Sequence, residues 1–188
     1  MAIKIFIDQG HNPTNPNAGA EGNGLREQDL TYEIGIILAQ LLSENGNYEV
    51  LVSRPTPETQ LGTTNAQSLA ARVNAANSWG ADYFISLHAN ASSITSASGS
   101  EGYVYSLGGA AQQFAENILT GLSDVTGLPN RGVFARPTLY VLRRTAMPAA
   151  LIELGFITNP GDAALMSEDP QLFALGVYNG INRYFGLA

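Results

Sequence analysis

The chain holds two histidines, His11 and His88, and no cysteine. Thiolate zinc sites and disulfides are thereby excluded, so any metal must be held by histidine and carboxylate. An open zinc site without cysteine commonly uses two histidines and one carboxylate, with water in the fourth position. Glu27 is the leading carboxylate, because it opens a helix facing back toward the turn that carries His11; Glu21 is its nearby competitor. Zinc lowers the pKa of its water from 15.7 to roughly 7 and polarises a carbonyl, yet a protein base is still needed to take the proton. Glu153 suits that task, since it sits in Ala149-Ala150-Leu151-Ile152-Glu153-Leu154-Gly155-Phe156, a run too apolar for an idle carboxylate. Each residue also has a plainer role. Glu27 fits a helix-start acid that complements the dipole, a histidine in a loop is ordinarily a satisfied side chain, and Glu153 becomes structural if Arg143 or Arg144 pairs with it.

The elements that must position these residues are read from periodicity and breakers. Ile3, Ile5 and Ile7 alternate up to Asp8 and predict a strand, which Gln9-Gly10-His11-Asn12-Pro13 ends. An Asn-, Pro- and Gly-rich stretch to Gly24 precedes a helix marked by Leu30, Ile34, Leu38 and Leu42 and stopped at Asn45-Gly46. A strand from Tyr48 to Ser53, a polar loop from Pro55 to Asn65, a helix ended by Gly80 and a strand from Ala81 to Leu87 follow. Ser92 to Ser100 reads as the most mobile loop, Gly102 to Leu107 as a strand and Ala110 to Thr126 as a helix. Leu139 to Leu142 and Ala149 to Leu154 read as two more strands, with Pro160 to Ser167 and Pro170 to Phe185 as helices. The alternation predicts one α/β domain, a mostly parallel twisted sheet of about six strands with helices on both faces. In such sheets ligands sit beyond the carboxyl ends of strands, and both histidines are expected just after a strand.

Length and charge set the remaining bounds. At 188 residues one domain is expected, and 45% hydrophobic against 13% charged residues fits a globular core. A net charge of −7, with Lys4 the only lysine, leaves no basic stripe to follow a phosphate backbone, so no nucleic-acid partner is expected. No apolar run reaches the ~20 residues of a membrane-spanning helix, and Met1 to Asp8 reads as a strand, not a leader.

Four ordered segments resemble a known family. Ile5-Phe6-Ile7-Asp8-Gln9-Gly10-His11, Leu25-Arg26-Glu27, Ala81 through Ser86-Leu87-His88-Ala89-Asn90, and Leu151-Ile152-Glu153-Leu154-Gly155-Phe156-Ile157-Thr158-Asn159 are similar to the zinc-dependent N-acetylmuramoyl-L-alanine amidases of the type-3 family. The resemblance is collinear from Ile3 to Phe185 and implies a single zinc amidase catalytic domain over residues 1–188. It implies Zn2+ bound by His11, Glu27 and His88, and Glu153 as catalytic acid/base in cleaving the amide between N-acetylmuramic acid and L-alanine of peptidoglycan. Arg54 and Arg72 match recurrent positions taken as structural, while Asn90 and Arg136 are candidate substrate contacts, Arg136 for a stem carboxylate.

Gln9 stands where the family usually has Pro, and Asn12 where it has Gly, so the first loop is expected to take its own path. Some members carry a long inhibitory helix after the fourth strand; Tyr103 to Thr126 holds one ordinary helix, so no activator protein is expected to be required. The expected place of action is the bacterial cell wall, in cell-wall degradation as an autolysin, sporulation enzyme or endolysin. Without a leader, release in the manner of a phage lysin and loss of a leader from a longer chain are both consistent. A zinc peptidase acting on the stem uses the same metal logic, and a wall-binding module without catalysis is the reading from another class.

Overall fold

The computed structural model describes residues 2–187. In chain order its elements are β1 (Ile3–Gln9), β2 (Glu21–Gly22), β3 (Leu25–Arg26), α1 (Glu27–Asn45), β4 (Tyr48–Val52), α2 (Asn65–Trp79), β5 (Tyr83–Asn90) and β6 (Ser100–Val104). The chain continues with α3 (Ala110–Thr126), β7 (Asn130–Ala135), α4 (Tyr140–Arg144), β8 (Ala149–Phe156), α5 (Pro160–Glu168) and α6 (Pro170–Phe185). Six strands form one sheet in the order β4-β1-β5-β8-β6-β7, parallel throughout except where β6 meets β8.

Both faces of the sheet are covered, which is why its central strands are nearly continuously apolar. On one face Ile5, Ile7, Ile85, Leu87, Ile152 and Leu154 meet Leu30, Ile34 and Leu38 of α1, Phe114 and Ile118 of α3, and Phe173 and Val177 of α6. On the other, Phe6, Phe84 and Leu151 meet Val73 and Ala76 of α2 and Val141 and Leu142 of α4. That second face carries the polar residues. Strand register aligns Asp8, Ser86, Leu151 and Tyr103 in one row and His88, Glu153 and Glu101 in the next row toward the strands' carboxyl end, β6 running the opposite way.

The six-stranded α/β sheet agrees with the sequence reading, but one strand was misplaced. Leu139–Leu142 is not a strand: Tyr140–Arg144 is the short helix α4, which buries Val141 and Leu142 and carries Arg143 and Arg144 in its last turn, where cations complement the dipole. The sixth strand is β7, hidden in sequence because it is an edge strand with no fully buried residue and a glycine, Gly132, at φ 96. The strand expected to end at Leu87 runs to Asn90, so His88 lies inside β5 and not after it. The stretch before α1 hides a small hairpin, β2 and β3, turned by Asn23 (φ 51) and Gly24 (φ 77), a dipeptide suited to such turns.

Helices α3 and α6 cross so closely that glycines form the contact. A Cβ on Gly180 would overlap the backbone of Asn117 and Ile118, and one on Gly121 would overlap that of Gly176 and Gly180. Gly180→Ala gains up to about 1 kcal/mol of helix propensity, whereas forcing the helices apart costs roughly 1–3 kcal/mol. Thermal unfolding is therefore expected to show a lower Tm for Gly180→Ala, and an unchanged or raised Tm would mean the crossing adapts at no cost.

Candidate active site

The site is built on a buried ion pair. Asp8 at the end of β1 and Arg72 of α2 are each 1% exposed, with Nη1 of Arg72 2.5 Å from Oδ1 of Asp8. Arg72 also donates to the carbonyls of Gln9 (2.6 Å) and His11 (2.5 Å) and to Oδ1 of Asn12 (3.2 Å), while Ser86 donates to Oδ2 of Asp8 (2.7 Å). Burial pushes the Asp8 carboxyl up, but the Arg72 charge and the Ser86 bond outweigh it and hold the group below the usual range. These bonds fix the turn after β1, where His11 adopts φ 69, a conformation disfavoured for any residue with a Cβ.

Gln9 and Asn12 tighten this turn. Gln9 is fully buried, its Nε2 donating to the Arg54 carbonyl and its Oε1 accepting the Arg54 N–H. Asn12, equally buried, donates from Nδ2 to Pro16 and Leu61 carbonyls and accepts the Leu61 N–H, tying the loop to residues 61 and 72. Arg54 donates to the Gln28 carbonyl at 2.8 Å and stacks on Tyr32, holding the start of α1.

Glu27, at the first position of α1, faces this turn. Its Oε1 lies 3.1 Å from Nε2 of His11 and 3.0 Å from Nδ1 of His88, and accepts the Ala89 N–H; Oε2 accepts the Ala20 N–H at 2.8 Å. Burial raises the Glu27 carboxyl, but hydrogen bonds from both imidazoles and their charges win and hold it well below the ordinary range. One donor atom from each of the three side chains falls within a 4.8 Å group. Tetrahedral ligands about 2.1 Å from a zinc ion sit roughly 3.4 Å apart, close to the 3.1 and 3.0 Å at which the two imidazoles approach Glu27, so the three side chains could hold a shared divalent cation. Space is reserved for the cluster: a Cβ on Gly10 would lie 2.6 Å from Nε2 of His88, and one on Gly19 2.8 Å from Oε2 of Glu27. Glu21 sits exposed on β2, outside the cluster.

Glu153 lies beside His88 in the strand register. Its Oε2 is shielded from solvent and has no hydrogen-bond partner. The pairing that would make it structural is absent: among the described residues neither Arg143 nor Arg144, both exposed, reaches it. Burial first, then the charges of Glu27 and Glu101, push its pKa up to about 8. Glu101, its neighbour on β6, was missed in the sequence because only the strand order reveals that β6 adjoins β8. Tyr103 (2.5 Å) and Nε of Arg131 (2.6 Å) donate to it, and Asn90 lies at 3.5 Å. Arg136 is exposed, its guanidinium over the rings of Tyr103 (5.0 Å) and Phe134 (5.9 Å). The 92–100 loop is anchored at both ends, Ser92 N–H on Thr158 and Ser98 Oγ on Asp162, with Ile94 projecting outward.

Residues 5–183 match the family described as N-acetylmuramoyl-L-alanine amidase. The amidase CwlM of Bacillus licheniformis is 40% identical over 99% of this chain and 70% of its own length. An N-acetylmuramoyl-L-alanine amidase from Clostridium difficile 630 superposes with a TM-score of 0.88 at 29% identity, covering 98% of this chain and 97% of that one. The CwlD amidase of Clostridioides difficile, solved in complex with the GerS lipoprotein, shares the fold at a TM-score of 0.86 and 23% identity, over 99% of this chain and 100% of that one.

The Glu153 environment predicts its own stability signature. A carboxyl raised from 4.5 to about 8 binds a proton in the folded state that the unfolded chain has released, so stability falls as pH rises through that window. In metal-free protein, Glu153→Gln is expected to raise Tm relative to wild type, with little difference at pH 5 and the largest at pH 8. Equal Tm values at pH 8 would show that the carboxylate is solvated without cost.

Proposed function

This chain belongs to the N-acetylmuramoyl-L-alanine amidase family and is a hydrolase of peptidoglycan, and from that premise we propose a zinc mechanism in which Glu153 moves the proton. The ligands are His11, Glu27 and His88, and the bond cleaved joins the lactyl group of N-acetylmuramic acid to L-alanine. The supporting observation is the convergence of two imidazole nitrogens on one carboxylate oxygen, beside the buried, unpartnered Oε2 of Glu153 one strand away.

His11, Glu27 and His88 would hold a zinc ion, which when bound would supply a Lewis acid for the carbonyl and a water of lowered pKa. The chain's own residues do the rest. Glu153 accepts the attacking water's proton and delivers it to the amide nitrogen as the carbon–nitrogen bond breaks, so that alanine leaves as an amine. The Glu27 charge is one cause of Glu153 holding its proton, and a cation shared with Glu27 offsets it. Arg136, laid flat by two rings with no carboxylate partner among the described residues, offers a bidentate donor to a stem carboxylate, and Asn90, 3.5 Å from Glu101, is the second candidate contact. The helix after β6, α3, packs on the face opposite the cluster, which supports activity without an activator. No helix of the described residues is long and apolar enough to cross a membrane, and the site of action is the bacterial cell wall.

Zinc-loaded chain alone should release intact stem peptides with a free L-alanine amino terminus from purified peptidoglycan, read by mass spectrometry, and chelation should abolish release. Glu153→Gln should keep its zinc and lose about 100-fold or more in turnover. Cleavage within the stem would reassign the site to a peptidase, and a requirement for a partner protein would refute activator independence. Arg136→Ala should raise KM several-fold at little change in kcat, and unchanged kinetics would remove Arg136 from recognition.

A further inference from the structure

A cavity of about 140 Å3 opens beside His11 and His88 on the α2/α4 face of the sheet. Leu69 of α2, Leu139 at the start of α4 and Leu151 of β8 wall it, and its charged floor is the Asp8–Arg72 pair, which is internally neutralised. Asn17 borders it with its amide nitrogen committed to Ser68 Oγ at 3.0 Å, which turns Oδ1 to accept a further bond. Its leucine walls and Asn17 have no role in the proposed metal site or proton transfer.

We propose that this cavity binds the 2-acetamido group of the muramoyl residue, which places the acyl half of the substrate over β1 and α2 and the peptide half over β6 and β7. The proposal rests on the amidase reading. Glu153 must reach the departing nitrogen, so the peptide leaves on its side of the cluster. Beyond Glu153 in the sheet order Arg131 is paired with Glu101, and Arg136, stacked on Tyr103 with no carboxylate partner among the described residues, is the cation suited to a stem carboxylate. At the cavity itself the one lining cation, Arg72, is consumed by Asp8. Size and chemistry agree with this polarity. A methyl is about as bulky as a water, whose share of liquid volume is roughly 30 Å3, so the alanine side chain would leave most of the cavity unfilled. An acetamido group brings a methyl for the leucine walls and an N–H for Asn17.

The test pairs soluble muramoyl-peptides carrying an N-acetyl, a free amino or an N-butanoyl group with wild type, Leu139→Trp, which fills the cavity, and Leu69→Ala, which enlarges it. Wild type should prefer N-acetyl over free amine by roughly tenfold or more in kcat/KM. Leu139→Trp should erase that preference through KM on the acetylated substrate alone, and Leu69→Ala should extend acceptance to N-butanoyl. Calorimetry with N-acetylmuramic acid and muramic acid reads the same preference without turnover, so an inactive preparation still decides the matter. Equal handling of acetylated and free-amine compounds by wild type would overturn the assignment while leaving the amidase reading intact. Sensitivity of Leu139→Trp to alanine-to-glycine replacement in the stem, with none to the acetyl group, would overturn it in favour of the alanine methyl. Failure to cleave the muramoyl–alanine bond while N-acetylmuramic acid still binds preferentially would fault the reaction and not the cavity.

Discussion

Asp8 and Arg72 lie almost wholly out of solvent, where an ion pair is favourable only if its remaining donors and acceptors are also satisfied. Here they largely are. The guanidinium reaches Asp8, two successive turn carbonyls and Asn12, and the carboxylate also receives Ser86. The pair therefore does more than join α2 to β1. It holds the carbonyl of His11 and with it the left-handed backbone that swings the imidazole toward Glu27. Without it, the carbonyls of Gln9 and His11 lose their shared donor, and only the Gln9 and Asn12 side chains and the main-chain bonds hold the strained turn.

The two faces of the sheet divide the work. One is a dry packing surface against α1, α3 and α6, with helices brought together through glycines until backbones touch. The other is only partly apolar, and its two polar rows become the site where the strands end. Glu27 enters that site from the opposite layer, at the start of α1, and its orientation comes from backbone N–H groups of Ala20 and Ala89 as much as from the imidazoles. A cluster held by main chain keeps its geometry at small entropic cost when a ligand binds.

Glu153 carries the one buried carboxylate oxygen among the described residues with no hydrogen-bond partner. Two neighbouring carboxylates, Glu27 and Glu101, press on it. Glu101 stays ionised because Tyr103 and Arg131 hold it, so the pair differ in role through environment alone. Proton transfer requires a group near its titration point, and the same placement that makes Glu153 useful makes it a burden on stability.

Much of this was legible in the chain itself. The absence of cysteine and the presence of two histidines limited a metal site to His11, His88 and a carboxylate. Periodicity located α1 through Leu30, Ile34, Leu38 and Leu42 because a helix that buries one stripe writes that stripe into its sequence. The apolar run around Glu153 flagged a carboxylate that could not be idle. What the sequence hid were elements whose stability comes from neighbours. The edge strand β7 and the short helix α4 exchanged places with expectation, since neither carries enough periodic residues to outvote propensity. Which strand lies beside which was decided only in three dimensions. That order brings Glu101 against Glu153, sets Arg136 on two rings and opens the cavity beside the histidines, because these contacts join residues far apart in the chain and no local pattern encodes them.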